Sequence, residues 1–212
     1  PEMSGDDLCS AIKGDLEMSH IPVLLLTALG DEKNMLEGLE IGADAYITKP
    51  FSVGILKATI KNLLANRALL RQVYNSIEEE EHNFPVNCTN TLDWKFIASV
   101  KECIEKNMGD PDFNVEMLSS RHHMSRTSFF NKLKVLTGYA PADYIRMIRL
   151  QHAAQLLKQG EYTIAEITDM VGFSDAKYFR EVFKKYYGVS PSKYGESEKT
   201  GSYPAINLKN EK

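Results

Sequence analysis

The apolar positions change their period part-way along the chain. Residues 6–15 place Leu8 and Ile12 four apart, the spacing of a short amphipathic helix. Pro22 then opens a continuous apolar run, Val23 to Leu26, that ends at Thr27 and predicts a strand buried on both faces. Residues 31–41 carry Met35, Leu36 and Leu39 at helical spacing, with Gly42 as a C-cap. A second short run, Ala45 to Ile47, stops at Thr48-Lys49-Pro50 and predicts another strand. Ser52 suits the N-cap of a helix that runs from Val53 towards Val73, with Leu56, Ile60, Leu63 and Leu64 on one face. Helices alternating with short apolar strands predict a parallel α/β arrangement.

Residues 75–91 break this pattern with four consecutive glutamates, a proline and polar residues, and read as a linker. From Leu92 onward the period is helical. Phe96, Ile97, Val100, Cys103 and Ile104 form one stripe, and Val115 to Arg121 is short and amphipathic. Ser125 is a natural N-cap before TSFFNKLKVLTG. Pro141 fits the first position of a long helix lined by Met147, Leu150, Ala153, Ala154 and Leu157. Helices over 164–170 and 176–187 follow, and Pro191 lies beyond the close of the second.

The helical half repeats itself. FFNKLKVLTGYAPADY and FREVFKKYYGVSPSKY superpose at an offset of 50, so Phe129 meets Phe179, Gly138 meets Gly188 and Pro141 meets Pro191. Upstream the offset is 49, where Val115 meets Ile164, Leu118 meets Ile167 and His123 meets Gly172. Two copies of a helix-turn-helix joined by the long helix account for this pattern, the slip falling in the turn or at the start of the second helix of each unit.

Charge divides along the same line. Residues 1–81 carry 7 Lys and Arg against 14 Asp and Glu, net −7, whereas residues 92–195 carry 15 against 12, net +3. A basic second half is the one suited to a polyanion. The three cysteines are scattered and form no CxxC, which points to free thiols in a reducing compartment and against zinc. No run of eighteen apolar residues and no signal peptide is visible, so the segment is expected in the cytoplasm. No G-x-S-x-G, P-loop or HExxH occurs, and an enzyme is not expected.

In a helix-turn-helix the first helix braces and the second enters the major groove. The bracing helices would be residues 115–122 and 164–171. The first recognition helix offers Ser125, Arg126, Thr127, Ser128, Asn131, Lys132 and Lys134. The second offers Ala176, Lys177, Tyr178, Arg180, Glu181 and Lys184. Asn suits adenine, Lys and Arg suit guanine, Glu accepts from cytosine, and Ser and Lys serve phosphate.

Residues 91–194 resemble the AraC-type (AraC/XylS) DNA-binding domain, through MSRTSFFNKLKVLTG, APADYIRMIRLQHAAQLLK and TIAEITDMVGFSDAKYFREVFKKYYGVSPSKY. The resemblance implies seven helices and two recognition helices that read successive major-groove segments of one DNA face. Three positions depart from it. Ser119 and Thr168 stand where the bracing helices usually have alanine, and His123 replaces the turn glycine of the first unit. His tolerates left-handed backbone better than branched residues, so His123 is expected as a turn residue, not as half of a His122-His123 metal pair.

PEMSG, IPVLLLTA and GADAYITKPF resemble the later half of a response-regulator receiver domain. That family has a flavodoxin-like fold, here represented by the third helix, fourth strand, fourth helix, fifth strand and fifth helix. The resemblance implies a phosphorylated aspartate just ahead of PEMSG, Thr27 as the hydroxyl that meets the phosphate, Lys49 as the ammonium that neutralises it, and Tyr46 as the aromatic switch residue. The acceptor aspartate and the acidic magnesium pocket would precede this chain. No cofactor is therefore expected here, and Mg2+ only in a complete receiver. The domain order resembles the C-terminal end of a hybrid two-component sensor.

Taken together, residues 1–74 are expected as a partial receiver, 75–91 as a linker, 92–195 as the DNA-binding domain and 196–212 as a polar tail. The expected function is that of a sequence-specific DNA-binding transcriptional regulator in a phosphorelay. Double-stranded DNA, a second copy paired through the receiver, an upstream histidine kinase and RNA polymerase are its expected partners. The alternative is a protein-interaction module whose helical half docks on polymerase or another regulator.

Overall fold

The computed structural model describes residues 3–28, 41–76, 88 and 90–200. In chain order the elements are α1 (Gly5–Gly14), β1 (Leu24–Ala28), β2 (Ala45–Lys49), α2 (Val53–Ser76), α3 (Thr91–Lys106), α4 (Val115–Arg121), α5 (Arg126–Thr137), α6 (Pro141–Gln159), α7 (Ile164–Met170), α8 (Ala176–Tyr187) and α9 (Pro191–Thr200). The chain divides into two compact units: Pro1–Ser99 with His123–Ala140, and Val100–His122 with Pro141–Lys212.

In the first unit, Ser4 and Asp7 form a reciprocal capping box that starts α1, with Ser4 Oγ accepting from the Asp7 amide at 3.0 Å. β1 and β2 pair in parallel, Leu24 opposite Ala45 through Ala28 opposite Lys49. Asp44 sets the start of this ladder. Its carboxylate accepts from the Val23 amide at 2.8 Å and from Lys13 Nζ at 2.6 Å, and so ties the end of α1 to the strands. Ser52 caps α2 as expected, accepting from the Ile55 amide at 3.2 Å. All but Ile41 of the helix expected over 31–41 lies outside the described residues, as does most of the linker. Gly42, its expected cap, has a left-handed φ of 91°.

Two expectations need correction here. β1 is not buried on both faces: Leu26 is 41% exposed. The sheet has two strands among the described residues, so each is paired along one edge there. Helix α2 also runs three residues past Val73, into the stretch read as linker.

The second unit has one continuous apolar core. Leu150, Ala153, Ala154 and Leu157 of α6 meet Ile167 and Val171 at α7, and Phe179, Phe183 and Tyr187 of α8. The rings form a chain: Phe173–Phe179 at 5.3 Å, Phe179–Phe183 at 5.7 Å, Phe183–Tyr187 at 4.6 Å and Tyr187–Tyr194 at 4.9 Å between centroids. Arg149 is buried beside this core. It donates to the carbonyls of Gly172, at 3.0 Å, and Asp110, and burial pulls its pKa below the ordinary value. The tail expected from residue 196 begins as helix, because α9 starts at Pro191 and continues to Thr200. Pro191 is the counterpart of Pro141, and both occupy the first helical position, where a missing N–H costs nothing.

Candidate nucleic-acid interface

The repeat in the sequence is a repeat of local geometry. Helices α4 and α7 both have seven residues, and α5 and α8 both have twelve. Each of the longer pair ends on a left-handed glycine whose amide bonds back four residues, Gly138 to the Lys134 carbonyl and Gly188 to the Lys184 carbonyl. The turn residues match too. Gly172 has φ 70° and His123, at its place in the first unit, has φ 54°. The adjacent His122 donates from Nδ1 to the Leu118 carbonyl at 2.8 Å. Ser119 and Thr168 are both buried, and each hydroxyl is satisfied by its own helix: Ser119 bonds the Glu116 carbonyl at 3.0 Å and Thr168 that of Ile164 at 2.6 Å.

Side-chain caps start both longer helices. Ser125 Oγ accepts from the Ser128 amide at 3.1 Å, and Asp175 accepts from the Lys177 amide at 2.6 Å and the Tyr178 amide at 3.2 Å. The caps leave the first turn of each helix facing solvent. On α5, Arg126, Thr127, Asn131 and Lys134 are exposed together with the cap Ser125, and Ser128 is half-buried. On α8, Lys177, Tyr178, Arg180, Glu181 and Lys184 are exposed, and Ala176 is half-buried. Each set falls on one face of its helix, with the buried residues on the other.

Lys132 departs from this expectation. It is fully buried, not on the outer face, because it occupies the position that Val182 fills in the second unit. Its ammonium pairs with Asp93 at 2.7 Å, and Asp93 is equally buried. Phe130 was not singled out by the sequence, yet it is 38% exposed on the outer face of α5, with Lys134 Nζ 5.6 Å from its ring centre. The matching of Phe130 with Arg180 at the repeat offset was the available signal.

The residues matched to a receiver also share a location. Thr27 pairs with Thr48, one step before Lys49, so Thr27 and Lys49 lie at the same end of the two parallel strands. Lys49 is exposed and Thr27 half-buried. Tyr46 is half-buried, and its hydroxyl has no hydrogen-bond partner among the described residues. Burial, reinforced by Cys9 and Asp6 nearby, raises its phenol above the ordinary value. Among the described residues no group of three or more His, Cys, Asp or Glu side chains could hold a metal.

Comparison with known families agrees with this division. The Helix-turn-helix domain family matches residues 118–197, and the Response regulator receiver domain family matches residues 1–61. The chain carries an AraC-type helix-turn-helix domain behind receiver-domain sequence. It is 40% identical to Histidine kinase P4 of Formosa agariphila over 92% of its own length, and spans 14% of that protein. The HTH-type transcriptional activator RhaR of Pectobacterium carotovorum is 39% identical over 39% of this chain and 29% of its own. The solved C-terminal domain of the two-component response regulator yesN of Fusobacterium nucleatum is 31% identical, covering 48% of this chain and 98% of that one, with a TM-score of 0.45. No described helix is long and apolar enough to cross a membrane.

Proposed function

We propose that this chain is the DNA-reading output end of a phosphorelay protein, acting in the cytoplasm as a transcriptional regulator. The observation that carries the reading is the matched pair of capped helices, α5 and α8, each with an outer face that is mainly polar and includes basic residues. A helix presented in this way fits a major groove. Asn131 suits adenine, Lys177 and Arg180 suit guanine, and Glu181 accepts from cytosine. Phe130 supplies an apolar contact for a thymine methyl. Arg126, Thr127, Ser128, Lys134, Tyr178 and Lys184 serve the phosphates and fix the register.

Residues 1–74 form the control segment, 75–91 the linker, 92–195 the reader and 196–212 the tail. In the whole protein, a phosphate placed upstream of Pro1 with Mg2+ would meet Thr27 and Lys49, and the ring of Tyr46 would follow the hydroxyl inward. Two chains then pair through their receivers, and pairing raises the effective concentration of the second reader on a repeated site. A histidine kinase in the same protein, as in the Formosa relative's name, is the phosphate source, and RNA polymerase is the downstream contact.

The test is base reading. Asn131→Ala and Lys177→Ala are each expected to weaken binding to a selected site by about 1–3 kcal/mol, with much smaller loss on scrambled DNA. Equal losses on both DNAs would remove the base-reading roles and leave phosphate contact alone.

A further inference from the structure

Lys132 lies on the inner side of α5, opposite the face that carries Thr127 and Asn131. A lysine in a packing position needs its charge matched and its three N–H groups accepted. Lys132 has all of this. Its Nζ donates to Asp93 Oδ1 at 2.7 Å, to Ser19 Oγ at 2.7 Å and to the Leu16 carbonyl. Ser19 Oγ in turn donates to Asp93 Oδ1 at 2.7 Å. Asn90 closes the network, donating from Nδ2 to Asp93 Oδ2 and to the Ser19 carbonyl, each at 3.1 Å. Lys132, Asp93 and Ser19 are all 0% exposed. The Phe96 ring, 5.0 Å from Nζ, covers the ammonium and packs edge-on against Phe129.

The origin of the acceptors is the informative point. Asp93 belongs to α3, in the helical half of the chain. Leu16 and Ser19 belong to the turn after α1, in the receiver segment, more than a hundred positions away in sequence. We propose that this network is a latch by which the receiver segment holds the first recognition helix from behind. If the turn at residues 15–21 moves away, Lys132 keeps its ion pair but exchanges two of its three protein acceptors for solvent, so the fixed bonds that hold α5 to the receiver segment are lost. Movement of the receiver segment and placement of the groove-facing helix are therefore one event. The latch uses the turn between α1 and β1, not the face formed by β2 and α2.

The test is hydrogen exchange on the 212-residue chain, read by mass spectrometry. Lys132→Met with Asp93→Asn removes both charges, so neither is stranded, and an apolar side chain suits the position as Val182 does in the second unit. The expected result is exchange about tenfold faster at 15–21, the loss of one well-made buried hydrogen-bonded anchor, with α7 and α8 unchanged. Unchanged exchange at 15–21 in this variant, with α7 and α8 still protected, overturns the latch. Ser19→Ala is the second variant and decides alone if the first loses protection everywhere. Faster exchange at both 15–21 and α5 supports the latch, and no change at either overturns it. A third arm rests on the DNA-reading proposal. Ser19→Trp, a wedge in the turn, is expected to speed exchange in α5 and change affinity for a selected DNA site at least about fivefold. Faster exchange in α5 with unaltered affinity overturns the coupling to DNA. A wild-type chain that binds no DNA overturns the DNA reading instead, and the exchange data still decide the latch.

Discussion

Gly172→Ala is the substitution for which the structure predicts the largest single-methyl effect. Gly172 turns the chain between α7 and α8 with φ 70°. A Cβ there would stand 2.9 Å from Arg149 Nη2, and closer still to the Met108 carbonyl oxygen. Neither neighbour can retreat cheaply. The Arg149 guanidinium is held by the carbonyls of Gly172 and Asp110, and a backbone oxygen moves only with its chain. Left-handed backbone costs alanine about 1–2 kcal/mol. Forcing a methyl into a packed site adds about 1–3 kcal/mol, for a total of about 2–5 kcal/mol. Gly138 and Gly188 are internal controls, with φ 80° and 78° and no atom within 4 Å of the added Cβ. Alanine there incurs only the backbone cost, about 1–2 kcal/mol. Urea unfolding followed by far-ultraviolet circular dichroism, at unchanged m-value, measures all three. If Gly172→Ala were no more destabilising than the two controls, the close packing assigned to Arg149 and Met108 would be wrong.

Three further outcomes follow from particular residues. His123→Gly relieves left-handed strain that a side chain bears at φ 54°, and is expected to leave stability unchanged or raise it by up to about 1 kcal/mol in the same unfolding assay, whereas His123→Val should lower it. Glu166 accepts from the Thr163 backbone and hydroxyl, which holds its carboxyl below the ordinary 4.5. Its stabilising effect is thus fully present above about pH 4.5 and is lost as pH falls through the lowered native value; Glu166→Gln should remove this acid-side dependence from the urea midpoint. Lys184→Ala should weaken binding to selected and scrambled DNA alike and reduce the slope of log affinity against log salt by about 0.9, as fluorescence anisotropy across a salt series would show.

Much of the second half was legible in the sequence. Phe129 over Phe179, Gly138 over Gly188 and Pro141 over Pro191 are residues whose types are dictated by burial, left-handed backbone and a missing N–H, so the repeat in sequence reappears as a repeat of helices in the structure. The same pairing also held information that periodicity alone did not use. Lys132 over Val182 sets a charge against an apolar core position, and a charge there demands a buried partner. Its identity, Asp93, lies 39 residues away, and Ser19 lies 113 away. Contacts of that separation leave no local trace in the sequence. The first half was less legible for a related reason. An apolar run such as Val23 to Leu26 predicts a strand, but its burial depends on neighbours that the run does not specify, and Leu26 remains exposed.

The central claim is that α5 and α8 read DNA, and selection from a random duplex pool tests it most directly. The 212-residue chain should enrich a defined motif and bind it with affinity that falls steeply with salt. Exchanging Asn131 or Lys177 should alter the motif at separate positions. Recovery of no motif, or of binding that is indifferent to salt and to both substitutions, would contradict the account.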